Sequence, residues 1–99
     1  MKKRYVVLAV LIISVVAIYA CKSTETTSAV LHNEHGNYPL AIKMANMALA
    51  KNPNDADAHF QLGLSYSYTG DMKGAYREFM TAGQLDPNKR ADAELDIKS

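Results

Sequence analysis

Cysteine occurs once in this 99-residue sequence, at Cys21. A single thiol closes no intrachain disulfide and supplies no CxxC-type metal or redox site. A cationic surplus is lacking too. The formal net charge is +1, but Lys2, Lys3 and Arg4 precede everything else, and the chain after them carries eight Lys+Arg against ten Asp+Glu. A near-neutral, slightly acidic body gives no electrostatic case for nucleic acid, which calls for a basic patch or stripe. Catalytic spacings are also missing. No HExxH, no nucleophile with a base beside it and no convergent carboxylate pair is present, and Ser65 and Ser67 have no local base. In "HNEH" (32–35) the two histidines are three apart and can share a helix face with Glu34 nearby. Zinc needs three or four ligands, and no third is fixed by this pattern. The sequence points to no enzyme, no metal and no cofactor.

What is present begins with a greasy run. Val6 to Ala20 is apolar except for Ser14 and Tyr19, and it follows a cationic triplet. A charged n-region, an apolar h-region and small residues at the end make a secretory signal. The run is short for a helix that must cross the bilayer core, which takes roughly 20 residues; an uncleaved, tilted single-span anchor is the alternative. Ile18-Tyr19-Ala20-Cys21 resembles the lipobox of bacterial lipoproteins, with Tyr19 bulkier than that slot usually carries. The resemblance implies that residues 1–20 are removed and that Cys21 takes a diacylglycerol on sulfur and a palmitate-type chain on its new amino group. Each buried CH₂ contributes about 0.8 kcal/mol, and one chain alone anchors only marginally, so several hold stably. Lys22 stands where enteric-type lipoproteins retained at the inner membrane carry Asp, which favours the outer membrane in a host that has two. Residues 21–27 then form the lipidated cysteine and a polar linker, which at about 3.3 Å per residue reaches roughly 20 Å and holds the folded part near the bilayer. That part is close to the lower size limit for a self-sufficient core.

The second feature is an internal echo. "GNYPLAIKMANMALAKNPN" (36–54) aligns with "GDMKGAYREFMTAGQLDPN" (70–88): Gly36/Gly70, Ala41/Ala75, Ala48/Ala82, Pro53/Pro87 and Asn54/Asn88 all match at an offset of 34. Leu62-Gly63, Tyr66, Gly70, Ala75, Phe79, Ala82 and Pro87 then occupy, in order, the preferred slots of the tetratricopeptide repeat, which this stretch resembles and whose period is 34. His59 stands in a slot where that family often has Trp. The resemblance implies an all-α fold: a short helix–turn–helix solenoid of about one and a half to two repeats plus a C-terminal capping helix, behind the N-terminal signal or anchor helix. The units are a degenerate repeat over 28–55, a full one over 56–89 and a cap over 90–99.

Local chemistry gives the same helices independently. Ala58, Leu62, Tyr66 and Phe60, Leu64 recur at helical spacing. "TGD" (69–71) is a turn in which Gly70 takes positive φ and Asp71 caps the next helix; Asn37 is expected to do the same one unit earlier. Pro39 fits a first turn, where its missing N–H costs little. "NPND" and "DPNK" end the second helices, because a residue before Pro disfavours the helical region. Gly63, Ala75 and Ala82 allow close helix approach. Gly74 and Gly83 each cost about 1 kcal/mol relative to Ala, with close approach to a neighbouring surface as the candidate reason. His59 is expected as a half-buried stacking residue, and Met44, Met47, Met72 and Met80 as packing filler.

In this family ligands lie along the concave face made by the first helix of each repeat. Carried over slot by slot, the resemblance presents Thr26, Val30, Asn33, Asp57, Phe60, Leu64, Ser67 and Tyr68. That row has no cation, so a clamp for a peptide carboxylate is disfavoured and an apolar segment is the better match. The expected function is a lipid-anchored protein–protein interaction scaffold or assembly factor facing the periplasm of a bacterial envelope. The rival is a self-associating module with no dedicated client, since stacked repeats generally need three or more units.

Overall fold

The computed structural model describes residues 3–4 and 23–89. Cys21, most of the expected signal segment (1–20) and the expected cap (90–99) lie outside the described residues. Within them the chain is helical, with no strand: α1 (Thr24–Glu34), α2 (Tyr38–Lys51), α3 (Ala56–Thr69) and α4 (Met72–Leu85). Residues 87–89 open a further helical turn. None of the described helices is long and apolar enough to cross a membrane. Each of the pairs α1–α2 and α3–α4 packs as a hairpin, and α3 also contacts α1 and α2.

The two hairpins repeat in their turns as well as in their helices. Gly36 and Gly70 take φ of 75° and 92°. Beyond them, Asn37 N–H donates to His32 O at 2.8 Å and Asp71 N–H to Tyr66 O at 2.9 Å. Each bond spans six residues back onto the last helical turn, the arrangement that a left-handed glycine after a helix makes available. Helices α2 and α4 both begin and end 34 residues apart. Their closing residues Asn52 and Asp86 sit at φ/ψ of −142/97° and −143/111°. Both precede a proline, whose ring pushes the preceding residue into extended conformation. Their side-chain oxygens then accept the N–H of Asn54 (3.1 Å) and Asn88 (3.0 Å).

Two local expectations change. Helix α1 starts at Thr24, inside the stretch expected as linker, because Ser23 caps it: its Oγ accepts the Thr26 N–H at 3.1 Å. Glu25 in the first turn adds a negative charge at the positive end of the helix. Asn37, expected as a side-chain cap, occupies the position but makes no capping bond. Such a cap bonds the second or third N–H of the helix, and the second residue here is Pro39, which has none. Asp71 does cap, accepting from Gly74 N–H at 2.9 Å.

Among the described residues the buried apolar core is mostly alanine: Ala29, Ala41, Ala45, Ala48, Ala58, Ala75 and Ala82 are buried, with Leu62 and Phe79 as its large side chains. Small residues let the helices approach closely. The equivalent positions of the two hairpins divide the volume differently. In the first, Ala29 faces the same cluster as Ala45, and Leu62 fills the remainder. In the second, the corresponding pair is Gly63 and Phe79; a Cβ on Gly63 would lie 2.6 Å from the Phe79 ring. Gly74 has a comparable reason, since a Cβ there would fall 2.5 Å from Asp71 Oδ2 and 3.0 Å from Tyr66. Tyr66 packs against both clusters and joins them. Of the methionines only Met44 fills the core; Met47, Met72 and Met80 are exposed. His59 makes polar contacts. Its Nδ1 lies 2.7 Å from Glu78 Oε2 and its Nε2 2.8 Å from Pro53 O, so it ties α3 to α4 and to the loop before it.

Lys51 at the end of α2 bonds the Glu25 carboxylate of α1. That bond, helped by the Glu25 backbone N–H, holds the Glu25 carboxyl below the usual carboxylate range. A carboxyl depressed in the folded state contributes stability above its unfolded pKa and loses it as pH falls through the folded one. The pair is at the surface, so its contribution is small. Carbon-detected NMR titration should place Glu25 below the ordinary carboxylate range, and Lys51→Met should return it toward that range. An unchanged Glu25 titration in Lys51→Met would show that the pair is not formed in solution.

Candidate functional site

A shallow groove of about 210 Å³ runs between α1 and α3, lined by Val30, Asn33, Glu34, Gln61, Leu64 and Tyr68. The residues recur at three- and four-residue spacings on each helix, which places each set on one face. Because α1 and α3 lie side by side, the two faces form one surface. Asn33 closes its floor. Its Nδ2 donates to Gln61 O (3.0 Å) and Gln61 Oε1 (2.9 Å), and its Oδ1 accepts from Ser65 Oγ at 2.6 Å. Ser65 is fully buried. These bonds fix the spacing of the walls, since breaking one would strand a buried polar group at roughly 1–3 kcal/mol.

At one end of the groove Tyr68 stacks on Tyr38, the first residue of α2, with ring centroids 5.0 Å apart and planes within 9°. Tyr68 is nevertheless 66% exposed. The volume falls below the roughly 300–1,000 Å³ of sites that enclose a small-molecule ligand. It suits one or two side chains of a docking segment.

Of the eight residues expected on the concave face, the structure brings Val30, Asn33, Leu64 and Tyr68 together. The others separate from them for identifiable reasons. Thr26 is fully buried, hydrogen-bonded to Ser23 and donating to Asp55 Oδ2 at 2.7 Å. Asp55 also caps α3 through the Ala58 N–H, so Thr26 is part of the joint between the hairpins and offers no surface to a partner. Asp57 and Phe60 form a second cluster, where Lys89 Nζ lies 2.8 Å from Asp57 Oδ1 and 5.3 Å from the centre of the Phe60 ring. Phe60 in turn rests on Phe79, with centroids 5.4 Å apart. Ser67 is half-buried and returns its hydroxyl to Leu64 O at 2.8 Å.

Glu34, Gln61 and Tyr38 belong to the site and were not in the expected row. Helical spacing carried a signal for two of them: Glu34 follows Val30 by four and Gln61 precedes Leu64 by three. Tyr38 carried none, because it comes from the second helix of a hairpin. Among the described residues no three His, Cys, Asp or Glu side chains converge on a common point. His35 Nδ1 instead lies 2.7 Å from Leu31 O of its own helix. The groove presents apolar surface, one carboxylate and bonded amides, which is chemistry for recognition.

No protein-family model matches this chain, and no curated protein is detectably similar to it.

Proposed function

We propose that this chain is a small lipid-anchored interaction module of the tetratricopeptide-repeat type, which holds a protein partner beside a membrane of a bacterial cell envelope. The observation that carries the repeat reading is the offset of 34 between the two hairpins, kept by sequence identities, turn glycines, the ends of α2 and α4 and closing hydrogen bonds alike. The signal-like segment and Cys21 support a lipid tether facing the periplasm, at the outer membrane in a two-membrane host. The working surface is the groove of Val30, Leu64 and Tyr68 with Glu34 at its edge. Asn33 and Gln61 set its width, whereas Thr26 and Asp57 serve the fold.

A second reading is favoured by one specific feature. Met72, Tyr76 and Met80 on α4 are exposed at four-residue spacing, an apolar stripe on which another copy of the chain would complete the stack. A photo-crosslinking amino acid placed in turn at Tyr68 and at Tyr76, in membranes of the host, separates the two. An adduct with one identified envelope protein from position 68 is expected. Adducts only between copies of the chain, from position 76, would replace the scaffold reading with self-association. No adduct from either position would remove both.

A further inference from the structure

We infer that the groove between α1 and α3 takes a partner segment that sets a lysine or arginine beside an aliphatic side chain. This rests on the docking reading above and adds the chemistry of what docks. Of the six lining side chains only Glu34 is ionised. It is exposed, and among the described residues it joins none of the ion pairs. Glu34 is also the last residue of α1, so the partial negative charge of the helix's terminal carbonyls adds to its own. On the opposite wall Tyr68 offers an aromatic ring to solvent, held in place by its stack on Tyr38. An aromatic face attracts a cation through its quadrupole.

Negative charge on one wall, a ring on the other and no lining cation select against an acidic segment and for a basic one. Val30 and Leu64 supply the apolar floor that receives the neighbouring aliphatic group. Both amides of the lining are already engaged with each other, and Asn33 with Ser65. They hold the walls in place and leave the discrimination to Glu34 and Tyr68. At about 210 Å³ the groove suits that pair of side chains.

The test uses the full chain in phosphatidylcholine nanodiscs, with empty discs as blank, and short blocked dye-labelled peptides of equal leucine and alanine content that carry arginine, glutamine or glutamate. Binding is read by fluorescence anisotropy. The arginine peptide should bind roughly three- to tenfold more tightly than the glutamine peptide, as an exposed ion pair and a cation–ring contact together allow. That advantage should fall in Glu34→Gln to the smaller part the Tyr68 ring supplies, pass to the glutamate peptide in Glu34→Lys, and shrink at high salt, where such contacts are screened. Tyr68→Ala should weaken both the arginine and the glutamine peptide, and the arginine peptide more, because the cation–ring contact is lost with the ring. Equal binding of these two peptides, with both weakened in Tyr68→Ala, would overturn the basic preference and leave the docking groove standing. An arginine preference undiminished in Glu34→Gln would also overturn it, by placing the selecting charge elsewhere. No binding above empty discs would overturn this inference and the groove as a docking surface together.

Discussion

Phe79→Ala is expected to lower the free energy of unfolding by about 3–5 kcal/mol, the range for truncating a buried phenylalanine. Phe79 is 3% exposed and is, among the described residues, one of two large side chains in a buried apolar core otherwise made of alanine. Its ring holds Ala75, Phe60 and Tyr66 in one cluster, so truncating it removes the contact that joins α3 to α4 and leaves a cavity between them. A body of residues 22–99 is stable by roughly 4–12 kcal/mol at about 0.05–0.15 kcal/mol per residue, so this loss removes a large share of its stability. Urea denaturation followed by far-UV circular dichroism measures it.

A second substitution identifies the cause. Gly63→Ala alone gains about 1 kcal/mol of helix propensity but drives a Cβ into the Phe79 ring. Overpacking of that kind costs about 1–3 kcal/mol, so the net change is destabilising. In the Phe79→Ala background the obstruction is gone, and the same substitution should become stabilising by up to about 1 kcal/mol. Residues in contact couple in this way and distant ones do not. An effect of Gly63→Ala that is the same in both backgrounds would mean that α3 and α4 do not meet through these two residues.

Cys21→Ser is expected to abolish lipid attachment completely, because the hydroxyl cannot replace the sulfur as acceptor in the processing that the lipobox resemblance implies. Membrane fractionation is the wrong measurement. An unprocessed chain would keep the apolar run from Val6 to Ala20, which can hold it at a membrane without any lipid. Intact mass and labelled-palmitate incorporation distinguish the two states. The wild-type chain should begin at Cys21 and carry acyl mass and label; the variant should begin at Met1 and carry neither. An unlabelled wild type that still begins at Met1 would replace the lipid tether with an uncleaved anchor. The lipid matters energetically because a single acyl chain binds a bilayer only reversibly, whereas several together hold stably.

Half of the expected row lines one groove, for an instructive reason. Val30 and Leu64 are only partly buried, Leu64 packing on one side against the Phe79 cluster, and both line the groove. Thr26 and Asn33, one turn away on the same helix face, are claimed by Asp55, Gln61 and Ser65. The partners lie 28 to 32 residues away in sequence, and no pattern within a helix announces them. They also explain how a first hairpin without large apolar residues at Ser28 and His32 can join the second: hydrogen bonds at Thr26 and Asn33 set the register of α1 on α3.

By itself the sequence determined the period of 34, the turns at Gly36 and Gly70, the cap at Asp71 and the helix ends before Pro53 and Pro87. Each depends on chemistry acting within about six residues: a glycine that accepts positive φ, a carboxylate that reaches the next turn, a proline that constrains the residue before it. Only the tertiary structure decided that Gly63 makes room for Phe79, that His59 ties two helices through polar contacts, that three of the four helix-face methionines stay in water, and that Glu34 and Tyr68 border one groove. Those outcomes depend on which helix faces meet, and side chains from separate helices settle that together.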